Sequence, residues 1–291
     1  MHPGVASLLQ KVELSEIASI RGVLNRIVEI VNDPDSSAFD LKNAIETDPP
    51  LSARVLKRAN SSFYGISHKG SGITDVHSAI VCIGFETIKE IALSQSVCKL
   101  FRNDEAFCGF SRPALWEHCV ATAIAGRLVF RREFGLPGGQ AHAAGLLHDL
   151  GIIVLDQCAP QLFRQVLQAF QQSPREGLYA HERAVLGFSH AELGAELAAL
   201  WEFPETLRNA IGAESIPDSI VGSDGDLVSA TVRLASWAIQ RRRIGFVESP
   251  GRPDRDILAA MKLLNVGGRA LDLIMEEVDA ELDRMRNDGL F

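Results

Sequence analysis

The sequence offers no CxxC pair. Its five cysteines, Cys82, Cys98, Cys108, Cys119 and Cys158, are scattered and odd in number. That pattern favours reduced, mostly buried thiols over a zinc ribbon or a disulfide framework. No apolar run approaches the ~20 residues that a membrane-crossing helix needs. The opening residues, MHPGVASLLQKVELSEI, lack a basic segment followed by an apolar one, so no secretory signal is expected and a cytoplasmic location is. Positive charge is also scarce: 29 Lys and Arg against 37 Asp and Glu leave a net charge of -8. The electrostatic footprint of a general nucleic-acid binder is therefore missing, and no direct nucleic-acid partner is expected. Gly and Pro are not enriched, no segment is of low complexity, and no repeat recurs at 20–50 residues. A P-loop, a GxGxxG and a GxSxG are all missing.

What is present reads as helix. The 291 residues suffice for one large helical domain or two small ones sharing a core. Ile17, Ile20, Leu24, Ile27, Val28 and Val31 recur at three- and four-residue spacing and predict a first amphipathic helix. Pro34 ends it, and Ser36 or Ser37 can cap a second helix through Phe39, Leu41 and Ile45. Asp48 with Pro49-Pro50 starts a third. Shorter helices are predicted over 73–83, closed by Gly84, and over 85–100. Ser111-Arg112-Pro113 opens a long helix that carries His118 and ends at Gly135. The AHAAGLLHDLG helix follows at 141–151, then one through Leu162, Val166 and Leu167. Later helices fit 175–186, 190–200, 204–211, 226–243, 254–264 and 270–286. Strand alternation is nearly missing. IIVL at 152–155 is the one β-prone run, and its flanks favour helix, so the fold class is all-α. A softer boundary lies around 101–113.

The chemistry concentrates at His148-Asp149. Histidine and aspartate bind hard or borderline divalent metals without redox help, and are costly to bury unpaired. About thirty residues earlier His118 sits mid-helix among small and apolar residues. Packing that helix against the His-Asp end can bring three ligands together. A lone histidine on an apolar helix is more often a satisfied core residue, and the adjacent His-Asp pair shifts that balance toward a ligand. His190 follows Ser189 at a helix start, where it serves either a pocket or a cap. His142, six residues before His148, is off its helical face, and His2, His68, His77 and His181 have no ligand-like spacing. Arg241-Arg242-Arg243 ends a helix, where cations meet the C-terminal dipole. Trp116, Trp201 and Trp237 are expected in the core.

RANSSFYG at 58–65, ITDVHSAIVCIGFETIKEIAL at 73–93, and the NDPDSS and IETDPPLSARVLKRAN phrases resemble the first half of an HDOD domain. LWEHCVATAIAGRL, AHAAGLLHDLGIIVL, ERAVLGFSHAELGAELAALWEFPETLRNAI and LVSATVRLASWA resemble its second half, in order, over about residues 8–245. HDOD domains are similar to the HD superfamily of metal-dependent phosphohydrolases and to the HD-GYP cyclic di-GMP phosphodiesterases. The resemblance implies an HD-like bundle in three parts: an N-terminal helical half at 1–105, an HD-like core at 106–245, and a C-terminal helical appendage at 246–291. It places His118, His148 and Asp149 in the first three ligand positions of the hydrolases. The fourth, an aspartate in active relatives, reads Ser236 in RLASWA. A His-His pair common in relatives reads Gly212-Ala213-Glu214, Gly151 is followed by Ile152 rather than lysine, and HHExxxGxGYP is missing.

A serine hydroxyl is a much weaker ligand for Mg²⁺, Mn²⁺ or Fe than a carboxylate. The resemblance therefore implies a non-catalytic bacterial signalling module. It would bind a regulatory protein, or a cyclic dinucleotide or other nucleotide, without a cofactor, and would have the option of a homodimer. The alternative is a metal-dependent phosphohydrolase holding Mn, Fe, Mg or Zn, with a replacement fourth ligand. Glu214, Asp224 and Asp226 are the nearest carboxylates, and His190, Glu214 and Ser236 are the pocket candidates.

Overall fold

The computed structural model describes residues 1–61, 72–103, 105–213, 224–248 and 254–287. The N-terminal part is a stack of short amphipathic helices: α1 (Pro3–Glu13), α2 (Arg21–Asn32), α3 (Ala38–Glu46), α4 (Pro49–Ala59), α5 (Val76–Ile83) and α6 (Phe85–Val97). Their starts follow capping chemistry. Ser37 accepts from the Asp40 amide while Asp40 reaches back to the Ser37 amide, and Asp48 accepts from Leu51. Gly84, at φ 100°, makes the turn between α5 and α6 that a side chain would strain. Helix α1 precedes the first helix expected from the sequence. His2 caps it, Pro3 opens it, and Val5, Leu8, Leu9 and Val12 bury one face at helical spacing. The helix expected from Ile17 begins as a 3₁₀ turn at Glu16–Ile20 and becomes α-helical only at Arg21.

The soft stretch around 101–113 contains a two-residue hairpin, Ala106–Phe107 paired with Phe110–Ser111. Cys108 and Gly109, both at positive φ, form its turn. Beyond it lie α7 (Arg112–Val129), α8 (Gly139–Leu147), α9 (Leu150–Cys158), α10 (Pro160–Gln172), α11 (Leu178–Leu186), α12 (His190–Leu200), α13 (Glu205–Ile211), α14 (Asp224–Arg241), α15 (Arg255–Leu263) and α16 (Gly268–Asn287). IIVL lies inside α9, as its flanks suggested. No described helix is long and apolar enough to cross a membrane.

Two features of this second part position the site. First, α7 and α8 pack with almost no side-chain spacing. A Cβ on Gly145 would lie 2.8 Å from the Ala123 backbone, and one on Gly126 would lie 3.1 Å from the Ala141 carbonyl. His118 on α7 is thereby brought against the C-terminal end of α8. Second, a strap of residues 244–248 leaves α14 and crosses the start of α7. The Phe246 amide donates to the Ala114 carbonyl at 3.0 Å, and the Leu178 amide donates to Glu248 O at 3.0 Å. Phe246 stacks edge-on against Phe110, which meets Phe163 in the same way. Gly245 permits the crossing: its φ is +69°, and a Cβ there would lie 2.3 Å from the Ala114 carbonyl oxygen.

Helix α16 closes the back of α7. Leu271, Ile274, Met275, Val278, Leu282 and Met285 are its buried face. Four cross-links flank that face: Arg127 to Glu281 at 2.7 Å, Arg132 to Glu277, Arg242 to Asp279, and Arg286 to Glu117. Of the three tryptophans, Trp201 is fully buried, whereas Trp116 and Trp237 are only partly buried against the core.

Candidate metal centre

His148 and Asp149 occupy the junction between two helices, not the end of one. His148 is the C-cap of α8 and Asp149 the N-cap of α9, with no side-chain capping bond. The Asp149 side chain is thus released from the backbone and turns into the interior, where its residue is fully buried. His148 Nδ1 meets the Gly145 carbonyl at 2.8 Å. As the donor of that bond, Nδ1 leaves the Nε2 lone pair free in the neutral ring. Nε2 lies 3.3 Å from His118 Nε2 and 3.1 Å from Asp149 Oδ1. His118 Nε2 lies 3.6 Å from Asp149 Oδ2 and 3.2 Å from Ser236 Oγ. The four residues that the resemblance aligns with the hydrolase ligand positions therefore meet in space.

Burial shapes the charges. It pushes the His118 and His148 pKa values well down, so both rings are neutral at pH 7. It raises the Asp149 and Glu248 carboxyls, with the Asp149 charge adding to the rise at Glu248 and His190 opposing it at both.

His190 belongs to the same cluster. It is the first residue of α12, behind the Ser189–Glu192 capping box, and fully buried. Capping thus falls to Ser189, and the ring is free for other work. Nδ1 is held by both oxygens of Glu182 at 2.9 Å, and the His190 amide donates to the same carboxylate at 3.0 Å. Tyr179 stacks on the ring at 4.6 Å. Nε2 is left facing Asp149 Oδ1 at 3.8 Å and Glu248 Oε2 at 3.9 Å. Burial opposes the charged ring, but the Glu182 and Glu248 carboxylates outweigh it and raise the His190 pKa.

Sequence reasoning missed Glu182, Tyr179 and Glu248. Glu182 precedes His190 by eight positions, in HERAVLGFSH, on the preceding helix. Glu248 carries no local signal, and its number falls in the stretch read as an appendage. Glu214 lies outside the described residues, and Asp224 and Asp226 fall in the first turn of α14. His2, read as surface or structural, is exposed and caps α1. His181 is buried on the Ser173 carbonyl at 2.9 Å, and His77 is exposed. His142 is buried with neither ring nitrogen hydrogen-bonded.

The donor atoms fit a divalent metal. His118, His148 and Asp149 form one group, and Asp149, His190 and Glu248 another, with all donors of each group within 4.8 Å of one another. Metal bonds to histidine nitrogen and carboxylate oxygen run about 2.1 Å, so two of them span up to about 4.2 Å. The measured separations of 3.1–3.9 Å fall inside that span.

A cavity of about 170 Å³ opens onto the cluster, lined by His148, Tyr179, Ser236 and Glu248 at its inner end. Glu176 and Asp254 add acidic groups, and Arg233 is the one cation among its described lining residues. Arg233 itself sits 3.9 Å from Asp254.

An all-helical bundle with a His, a His-Asp junction and a further histidine around one buried point defines an HD-type domain. The profile of the HDOD domain matches residues 17–217, and the chain belongs to that family. In fold it is similar to an HDOD domain protein of unknown function from Geobacter sulfurreducens (TM-score 0.75, 24% identity, 93% of this chain and 92% of that one). It is also similar to a candidate signal transduction protein from Marinobacter aquaeolei (TM-score 0.75, 22% identity, 92% and 58%). A candidate phosphohydrolase from Shewanella amazonensis shares the fold as well (TM-score 0.68, 22% identity, 96% and 95%). An uncharacterized protein of Treponema pallidum is 24% identical over 213 residues, which cover 71% of this chain but only 38% of that protein.

Proposed function

We propose that this chain is a regulatory HDOD module that acts by binding a protein or nucleotide partner and does not turn over a phosphoester. The observation that carries this reading is Ser236. At the position where active relatives carry an aspartate, a neutral hydroxyl lies 3.2 Å from His118 Nε2 and accepts from Gln240 Nε2 at 3.2 Å. The cavity in front of it supports the same reading, because its acidic lining repels a phosphate and offers one paired arginine. The reading retains the three-part division at 105 and 245, a cytoplasmic setting and the option of a homodimer.

A second reading, a phosphohydrolase, is favoured by the two donor groups that share Asp149. There His118, His148 and Asp149 would hold a divalent ion that lowers the pKa of a bound water. Purified protein assayed on bis(p-nitrophenyl) phosphate with Mn²⁺ or Fe²⁺ separates the two. The regulatory reading expects no turnover above buffer. Turnover that disappears in Asp149→Ala overturns it.

A further inference from the structure

We propose that the chain holds one divalent cation of the zinc, manganese or iron class between Asp149, His190 and Glu248. In this assignment the strap carboxylate supplies the anionic donor that Ser236 does not. The inference is independent of the regulatory reading, since an ion can brace or sense without catalysing.

Three observations converge on it. First, Asp149 Oδ1, His190 Nε2 and Glu248 Oε1 are buried side-chain atoms without hydrogen-bond partners among the described residues. Buried polar groups are nearly always satisfied in folded proteins, and here three unsatisfied ones lie on neighbouring side chains, with the other Glu248 oxygen, Oε2, 3.9 Å from His190 Nε2. Second, His190 is oriented as a metal ligand is. Its Nδ1 is fixed by Glu182 at 2.9 Å and its face by Tyr179, so Nε2 is aimed at the two carboxylates. A carboxylate behind the ligating histidine is the usual support of a metal site. Third, the chain keeps Glu248 there at a local cost. The strap needs Gly245 at positive φ pressed on Ala114 and His118, and it buries a carboxylate to 3% exposure. A purely structural strap would be served better by an apolar residue.

The donor set distinguishes this centre from the His118–His148–Asp149 group. That group offers two rings and one carboxylate. The Glu248 group offers two carboxylates and one ring. Manganese, the hardest of the three ions, favours the second composition, and zinc and iron accept a mixed set of carboxylate and imidazole.

The test is metal binding by the whole chain, freed of metal by chelation and titrated with Zn²⁺ and, for its visible absorption, Co²⁺. We expect one equivalent bound, a rise in melting temperature, and a Co²⁺ spectrum of mixed nitrogen and oxygen ligation. Glu248→Gln is expected to weaken binding by about 10–100-fold, and His118→Gln by less. Glu182→Gln, which touches no ion, is expected to weaken binding by about 10-fold and serves as the test if Glu248→Gln does not fold. Wild-type protein that is folded by circular dichroism and binds neither ion overturns the proposal. So does a folded Glu248→Gln that binds as wild type does, or a larger loss from His118→Gln than from Glu248→Gln. Phosphodiester turnover would overturn the regulatory reading and leave this proposal standing, whereas absence of metal binding does the reverse.

Discussion

Gly151 and His190 meet backbone to backbone. A Cβ on Gly151 would lie 1.9 Å from the His190 carbonyl oxygen and 2.8 Å from its carbonyl carbon. The residue two places after Asp149 therefore sets how close the N-terminus of α12 comes to the His-Asp junction. Gly151→Ala is expected to force α9 and α12 apart and to cost about 3 kcal/mol, at the upper end for overpacking. A denaturant titration measures it. An unchanged midpoint would show that this approach can relax freely.

Ser236→Asp adds a carboxylate near His118 Nε2, which now sits 3.2 Å from the serine oxygen. Without metal the added acid is half-buried beside His118 with no ion to meet it, and the melting temperature should fall in chelator. With Mn²⁺ it completes a His-His-Asp-Asp set, so the loss should be recovered. Equal melting temperatures with and without Mn²⁺ would show that the aspartate never reaches the site.

His142 predicts part of the acid sensitivity. Burial, with Arg127 and Arg131 nearby, lowers its pKa from the ordinary 6.5 to about 3. The folded state therefore binds fewer protons than the unfolded one between those values. The resulting stability is complete above pH 6.5 and is lost as pH falls toward 3. His142→Leu also removes two buried nitrogens that lack hydrogen bonds, so at pH 7 it should be neutral or stabilising by about 1 kcal/mol. The slope of stability against pH below 6.5 should flatten, with His148 and His118 supplying the remainder. An unaltered slope would mean that His142 protonates freely in the fold.

Arg127 ties three helices. It reaches Glu90 of α6 at 3.2 Å and Glu281 of α16 at 2.7 Å from a nearly buried position. Arg127→Ala removes the Glu281 partner and leaves Glu90 with Arg131 alone, at 3.2 Å, and should cost about 3 kcal/mol. Arg127→Ala combined with Glu281→Gln should recover part of that loss. A double variant no more stable than the single one would show that the Glu281 charge is not the source of the cost.

Helix starts were legible because the chain announces them chemically. Ser37, Asp48 and Ser111 each cap the helix that their side chains suggested, whereas at the start of α12 the cap is Ser189 and not His190. His118, His148 and Asp149 were legible through the family resemblance, and the close packing of α7 and α8 is what makes them neighbours. The first helix has regular apolar spacing, but its cap is His2 and no Ser, Thr, Asp or Asn announces its start. The hairpin was too short for alternation to register. Glu248 was illegible for a physical reason. It reaches the site through a crossing of α7 set by Gly245, and no sequence period encodes contact between residues so far apart.

The strap has an evolutionary consequence. Ser236 lies on α14 and lines the cavity, in a helix packed against α7 and α8. Glu248 sits on a short connector beyond residue 217, where the family match ends. A lineage could therefore gain, lose or retune the site's charge by editing a few connector positions while the ancestral bundle stays untouched. Protein trimmed to the matched segment would carry His118, His148, Asp149 and His190 but neither Ser236 nor Glu248. Its chemistry would then be that of the shared scaffold, with this chain's own contribution removed.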